Sequence, residues 1–196
     1  MTRAYHHGNL RAALVETAAD LARAQGPDGV VLREVARRTG VSHNAAYRHF
    51  SDREQLLAAV AELAMDRLEQ AMLDRIATVR TRDPKRRAVR RLRATGMAYV
   101  RFALDEPGLF TVAFSTPFEE KGEGGPYALL TRVLDDLVEV GAMPADRREG
   151  ADVLCWAEGH GLAMLHLAGP LRDVPEADRE PLLERCLDLV QLALVP

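Results

Sequence analysis

Apolar residues along the first 25 positions recur at the spacing of one helical face: Leu10, Leu14, Ala18 and Leu21 stand at steps of four, four and three. Gly26 followed by Pro27 predicts the stop of that helix, because Gly accepts a left-handed cap and Pro cannot continue the turn. After the Asp28-Gly29 turn, a short helix is expected over Leu32–Thr39 with Val35 and Ala36 inward, halted at Gly40. Ser42 can cap another short helix reaching about His49. Ser51-Asp52-Arg53-Glu54 matches the S-x-x-E box that opens a helix. Leu56, Leu57, Val60, Leu63, Ala64 and Leu68 carry that helix to about Val79.

Thr81-Arg82-Asp83-Pro84 interrupts the pattern, and Pro84 suits the first position of a fifth helix. Val89, Leu92, Gly96, Met97 and Val100 are its expected inward face, and it ends near Asp105–Gly108. A short apolar piece, Leu109–Phe114, leads into STPFEEKGEGGP, expected to be flexible. Helical stripes resume at Tyr127–Val140, about Ala145–Ala168 and about Pro175–Leu194. No internal repeat and no alternating run calls for a strand, so the expected class is all-α with about nine helices.

Composition agrees. Hydrophobic residues make up 47% of the 196 positions, enough for a buried core, while aromatics are scarce at 5%. No apolar run approaches the roughly 18 residues needed to cross a membrane, and the N-terminal MTRAYHHGNL lacks the apolar block of a signal peptide. Cys155 and Cys186 both fall in helical patterns and read as reduced core residues. A cytoplasmic location is expected.

The formal net charge of −3 averages two unlike parts. Residues 1–57 carry eight Arg against six acids, with four of the six His (His6, His7, His43, His49); the rest carries 18 basic and 23 acidic residues. Within the first part, the thirteen residues RTGVSHNAAYRHF (38–50) contain no Asp or Glu. Two short helices joined across Thr39-Gly40-Val41-Ser42 match a helix-turn-helix, with Ala36 small at the crossing and Val41 and Ala46 plugging the junction. Such a unit places the start of its second helix in the DNA major groove. On a wheel begun at His43, the residues Ala46, His49 and Phe50 share one side. His43, Asn44, Tyr47 and Arg48 occupy the other and offer groups suited to base edges. A helix start ordinarily favours acids by about 0.3–1 kcal/mol each, so their absence fits a site where phosphates supply the negative charge. Arg53, in the first turn of the next helix, points the same way. The four histidines predict DNA affinity rising as pH falls toward about 6.5.

From Tyr5 to Leu68, through LREVARRTGVSHNAAYRHFSDREQLL, the chain resembles the DNA-binding part of TetR-family transcriptional regulators. The resemblance implies that Tyr47 and His49 bond to phosphates, that Arg33, His43, Asn44, Ala45 and Arg48 approach bases, and that Arg53 replaces the usual Lys at a phosphate. Ser42 caps the recognition helix. Val31 departs from the pattern, standing where a Thr or Ser usually caps the second helix. The implied organisation is a helix-turn-helix DNA-binding domain over residues 1–55 and a helical ligand-binding and dimerisation domain over 56–196.

The resemblance also implies a homodimer bound to a near-palindromic operator and released by a small-molecule effector. Trp156-Ala-Glu-Gly-His160-Gly161 is similar to the W-x-x-x-H-G signature of one C-terminal subclass. Gly159, Gly161 and Ala163, together with the stripe Leu182, Leu183, Cys186, Leu189, Val190 and Ala193, read as the dimer surface. Met97, Phe102, Phe110, Phe114, Trp156 and His160 are the candidate pocket residues, set against the plainer alternative that such a stripe is core. The eight basic residues between Arg80 and Arg93 are expected to form a solvated face paired with acids elsewhere. No metal spacing, no nucleophile beside a base and no phosphate-cradling Gly motif is present, so neither cofactor nor enzyme activity is expected. The two rival functions are an all-α enzyme built on Trp156 and His160, and a dimeric binding protein that has lost DNA recognition.

Overall fold

The computed structural model describes residues 10–115 and 124–195. Among these the chain forms nine α-helices and no strand: α1 (Leu10–Gln25), α2 (Leu32–Thr39), α3 (His43–Tyr47), α4 (Arg53–Ala77), α5 (Pro84–Asp105), α6 (Pro107–Ala113), α7 (Pro126–Glu139), α8 (Ala151–Ala168) and α9 (Glu176–Leu194). Single 3-10 turns lie at Pro27–Gly29 and Ala145–Arg147. The all-α expectation holds. No described helix is long and apolar enough to cross a membrane.

Packing divides the described residues into two compact units, 10–65 with 106–115, and 66–105 with 124–195. The boundary between these units therefore falls inside α4 and returns at α6, while the resemblance implies a division at 55/56. The reason is covalent continuity: a 25-residue helix contributes residues to both units.

In the first unit, α1 buries Leu14, Val15, Ala18, Ala19, Leu21 and Ala22, a wider face than the stripe its spacing predicts. Full burial of a Leu such as Leu14 or Leu21 contributes about 1.5–3 kcal/mol relative to exposure. Thr39 at the end of α2 donates to the Val35 carbonyl at 2.8 Å and lies 3.1 Å from the Thr17 hydroxyl of α1, which ties the two helices together. Helix α6 comes close to the end of α1 because residue 108 is Gly: a Cβ there would stand 2.0 Å from the Ala22 carbonyl oxygen. Beside that approach Arg23 Nε bonds Glu106 at 2.7 Å.

Two helix starts differ from the sequence expectation. Helix α4 is capped one residue later than the S-x-x-E match: Asp52 accepts from the Gln55 N–H at 2.8 Å, and Gln55 Oε1 accepts from the Ser51 N–H at 3.1 Å. Asp52 and Gln55 thus do the work assigned to Ser51 and Glu54. The Gln55 N–H, then the Ser51 hydroxyl, hold the Asp52 carboxyl below its ordinary range. Helix α8 begins at Ala151 rather than near Ala145, because Gly150 adopts the left-handed region (φ 76°) and separates it from the turn before it.

In the second unit, α5 is the central helix, buried at Leu92, at Ala94 and Thr95, at every position from Met97 to Val100, and at Phe102 and Ala103. A helix apolar on most sides belongs inside a bundle, and α7, α8 and α9 pack around it. The single inward face predicted for it was too narrow. Arg93 on α5 pairs with Glu184 and, at 2.6 Å, with Asp188 on α9. Arg91 reaches Asp136 on α7 at 3.4 Å. These two members of the Arg80–Arg93 run find acids as expected, while Lys85, Arg86 and Arg90 line an open groove. His166 is buried, its Nδ1 3.1 Å from the Leu171 carbonyl oxygen beyond the end of α8.

Candidate nucleic-acid interface and ligand cavity

Gly40 ends α2 in the left-handed region (φ 76°), and the Val41 N–H bonds the Ala36 carbonyl at 3.0 Å, which turns the chain into α3. Ser42 caps α3 as expected, its hydroxyl accepting from the Ala45 N–H at 3.2 Å. Val31 offers no side-chain cap to α2, in keeping with its departure from the family pattern. Ala36 and Ala46 are buried at the junction, and Val41 is only half-buried. Phe50 is buried, with the Arg11 guanidinium 5.1 Å from its ring centre.

That anchoring leaves His43, Asn44, Tyr47, Arg48 and His49 all exposed, with Ala45 half-buried between them. Helix α3 stops at Tyr47, so His49 lies beyond it and faces solvent rather than sharing the inner side with Ala46. The His43 and Tyr47 rings pack 4.3 Å apart, one turn from each other. Arg33 on α2 is exposed, and neither it nor Arg48 pairs with a carboxylate among the described residues. Arg37 and Arg38 do pair, both with Glu34, at 2.8 and 2.7 Å. Those bonds, Arg37 first, hold the Glu34 carboxyl at about 2. One of the two arginines in the acid-free stretch is thus already neutralised from outside it. His6 and His7 lie outside the described residues.

Arg53 has a second employment that its position in the sequence does not reveal. Its Nε donates to the Val30 carbonyl at 2.9 Å and its Nη2 to the Pro27 carbonyl at 2.7 Å, with Asp28 at 3.7 Å. The guanidinium therefore pins the turn between α1 and α2 to the start of α4. The side chain keeps 38% of its surface exposed, so a face remains for a phosphate.

The second unit contains a cavity of about 40 Å³ among α4, α5, α7, α8 and α9. Its walls include Met72, Leu92, Tyr99, Leu130, Trp156 and Leu187, and its polar lining includes Thr95, Glu158, Arg93 and Gln191. Of the six candidate pocket residues, Trp156 lines this cavity. His160 stands behind it: its Nδ1 lies 2.9 Å from the Tyr99 hydroxyl, and the Tyr99 ring meets Trp156 edge-on at 5.2 Å. Tyr127 meets Trp156 from another side at 5.3 Å. Met97 and Phe102 are core residues of α5, Met97 edging a separate open groove. Phe110 and Phe114 belong to the first unit, their rings 4.8 Å apart and Phe110 fully buried.

Sequence reasoning missed Tyr99, Glu158 and Cys155. Glu158 did carry a signal, being the one acid in the sixteen residues from Val153 to Ala168. Its Oε1 is buried without a hydrogen-bond partner, and burial raises its carboxyl above the usual range. Burial first, then Glu158 and Asp152, push the Cys155 thiol up to about 12, which makes it a poor nucleophile. No group of His, Cys, Asp and Glu among the described residues is arranged to hold a metal.

Residues 14–60 match the family model for the bacterial regulatory proteins of the tetR family, and residues 92–190 that for the tetracyclin repressor-like C-terminal domain. An HTH-type transcriptional repressor of Mycobacterium tuberculosis is 37% identical over 51 residues, 26% of this chain and 27% of that protein, so the likeness spans about a quarter of either. A solved structure from Rhodococcus sp. RHA1, itself of unknown function, covers 100% of both chains with a TM-score of 0.81 and 28% identity. A TetR variant from Acinetobacter baumannii AYE in complex with minocycline covers 92% of this chain and 93% of its own, with a TM-score of 0.64 and 18% identity, a likeness of fold.

Proposed function

This chain belongs to the TetR family of bacterial regulatory proteins, and from that premise we propose that it is a cytoplasmic homodimeric repressor, released from a near-palindromic operator by a small molecule. The observation that carries the proposal is the anchoring of α3. Ala46 and Phe50 are buried, and His43, Asn44, Tyr47 and Arg48 stand together in solvent with no acid among them. His43, Asn44, Ala45 and Arg48, with Arg33 from α2, would meet base edges, and Tyr47, His49, Arg53 and the Ser42-capped helix start would meet phosphates. Two such helices would read half-sites about 34 Å apart.

The dimer reading is supported by α8 and α9. Val153, Leu154, Met164, Leu165, Leu189 and Leu192 are six of the nine large apolar side chains left exposed among the described residues. Such a patch on two neighbouring helices is what an isologous helix pairing would cover. Gly161 sits there with open space where a Cβ would go, whereas Gly159 receives Tyr99 within its own unit.

The cavity among α4, α5, α7, α8 and α9 is the proposed effector site. Met72 in its wall belongs to α4, the helix whose first turn holds Arg53, so a ligand that displaces Met72 acts on a helix continuous with the DNA-binding unit. Release requires the ligand to prefer the non-binding arrangement, and a hundredfold preference is worth about 2.7 kcal/mol.

Titration of the purified protein against duplex fragments from the region upstream of its own gene, at several salt concentrations, tests the proposal. The expected result is fragment-selective binding by a dimer, with affinity falling steeply as salt rises. A monomer indifferent to every fragment would overturn it.

A further inference from the structure

The polar groups around the cavity are of unequal availability. Arg93 is its one cationic wall residue among the described residues, and Glu184 and Asp188 already hold that guanidinium. The Tyr99 hydroxyl is engaged with His160 Nδ1. Glu158 differs from both: its Oε1 is shut away from solvent and accepts no hydrogen bond. A buried acceptor left without a donor is costly, more so when it bears charge. The donor most able to relieve that cost is one that carries a positive charge of its own.

The walls fit such a donor. Trp156 and Tyr99 meet edge-on beside Glu158, and an aromatic face attracts a cation held near it. Met72, Leu92 and Leu187 make the rest of the lining apolar, so a ligand needs a hydrocarbon body as well as a charged end. The volume of about 40 Å³ has room for roughly three waters' worth of atoms at 10–15 Å³ each, which sets the body at a short alkyl chain of about three carbons.

We propose that the effector is a small amine, bound as its ammonium ion, whose apolar body lies against Trp156 and Tyr99 and whose N–H donates to Glu158 Oε1. The inference rests on the cavity being the effector site and adds the chemical class. An anion would meet Glu158 with no free cation among the described wall residues to offset it. A neutral alcohol satisfies the same oxygen without the charge.

Three probes that share one short chain and differ in charge separate these cases: propylamine, 1-propanol and propanoate, titrated calorimetrically into the full-length protein at neutral pH. Propylamine is expected to bind at least tenfold more tightly than 1-propanol, and propanoate more weakly than either. In Glu158→Gln the amine and alcohol are expected to bind within about threefold of each other, while Trp156→Ala weakens both. Equal binding of all three probes by the wild type, or an amine preference that survives Glu158→Gln, overturns the assignment of an amine and leaves the cavity as the effector site. Failure of every probe to bind the wild type, in protein that still binds its operator, overturns the cavity reading and the amine with it.

Discussion

The Tyr99 hydroxyl on α5 lies 2.9 Å from Nδ1 of His160 on α8. Burial keeps the phenol proton in place far above its ordinary titration range, so the pair is a neutral hydrogen bond whose donor is set by the imidazole tautomer. Tyr99→Phe removes the hydroxyl and leaves Nδ1 facing an apolar ring, at a cost of about 1–2 kcal/mol. In a chain of this size that lowers the melting temperature by roughly 2–4 °C per kcal/mol. Thermal melts of Tyr99→Phe, His160→Ala and the double variant measure the coupling, and strictly additive losses would remove the hydrogen bond from the account of the bundle's stability.

Glu158 and His160 give stability opposite dependences on pH. Burial raises the Glu158 carboxyl, so the folded state holds its proton more tightly than the unfolded chain does. The penalty is absent below the unfolded value of about 4.3 and grows as pH rises through the folded one. Glu158→Gln is therefore expected to melt higher than the wild type at pH 7.5 and alike at pH 4. Burial lowers the His160 imidazole, so the unfolded chain takes up that proton first. Its contribution is intact above about pH 6.5 and is lost as pH falls below it, a decline that His160→Gln should flatten. A Glu158→Gln protein no more stable than the wild type at pH 7.5 would contradict the burial of that carboxylate.

Arg53 is expected to show two separable defects. Arg53→Ala removes two bonds to the Pro27 and Val30 carbonyls and should cost about 1–3 kcal/mol of stability. It should also flatten the salt dependence of DNA binding by about one unit per protomer, without altering base preference. Arg53→Lys retains the charge but not the fork, so the salt slope should recover while the melting temperature stays low. If Arg53→Ala changes stability alone, with the slope untouched, the residue is a pin for the turn and not a phosphate ligand.

Asn44 and Arg33 are exposed, and neither side chain has a partner among the described residues whose loss would complicate the result. Each change to Ala should leave the stability within about 0.5 kcal/mol of the wild type. Discrimination at one operator position should fall by about 1–3 kcal/mol. Binding to a library of single-base operator variants reads this directly, and a uniform loss across all variants would reassign the residue to the phosphate backbone.

The helix-turn-helix was legible because its constraints are local. Gly40 closes the turn, Ser42 caps α3, and Ala36 and Ala46 fill the junction within eleven residues of one another. The capping of α4 was misplaced by one residue because Ser51 and Asp52 are both competent caps, and only the fold selects the Asp52–Gln55 pair. Arg53 hid its carbonyl partners because they lie 23 and 26 residues upstream, and a backbone oxygen leaves no mark on sequence. The cavity was least legible. Its lining is set by where five helices cross, so an aromatic stripe nominated Phe102 and Phe110, which are core, and passed over Tyr99 and Glu158.

The exposed stripe on α8 and α9 turns the dimer proposal into a measurable one. Leu192 and Val153 keep 68% and 62% of their surface in solvent, so a charge at either is accommodated by the isolated protomer at little cost. In a paired four-helix arrangement the same charge would be buried opposite apolar side chains, where truncation or charging of a central contact costs about 2 kcal/mol or more of association energy. Leu192→Glu and Val153→Glu are therefore expected to melt near the wild type at low concentration yet sediment as monomers. Because a monomer presents one α3 to an operator built from two half-sites, its DNA affinity should fall with its dimerisation. A Leu192→Glu, Val153→Glu double variant that sediments as a dimer and binds DNA unchanged would place the partner surface somewhere other than α8 and α9.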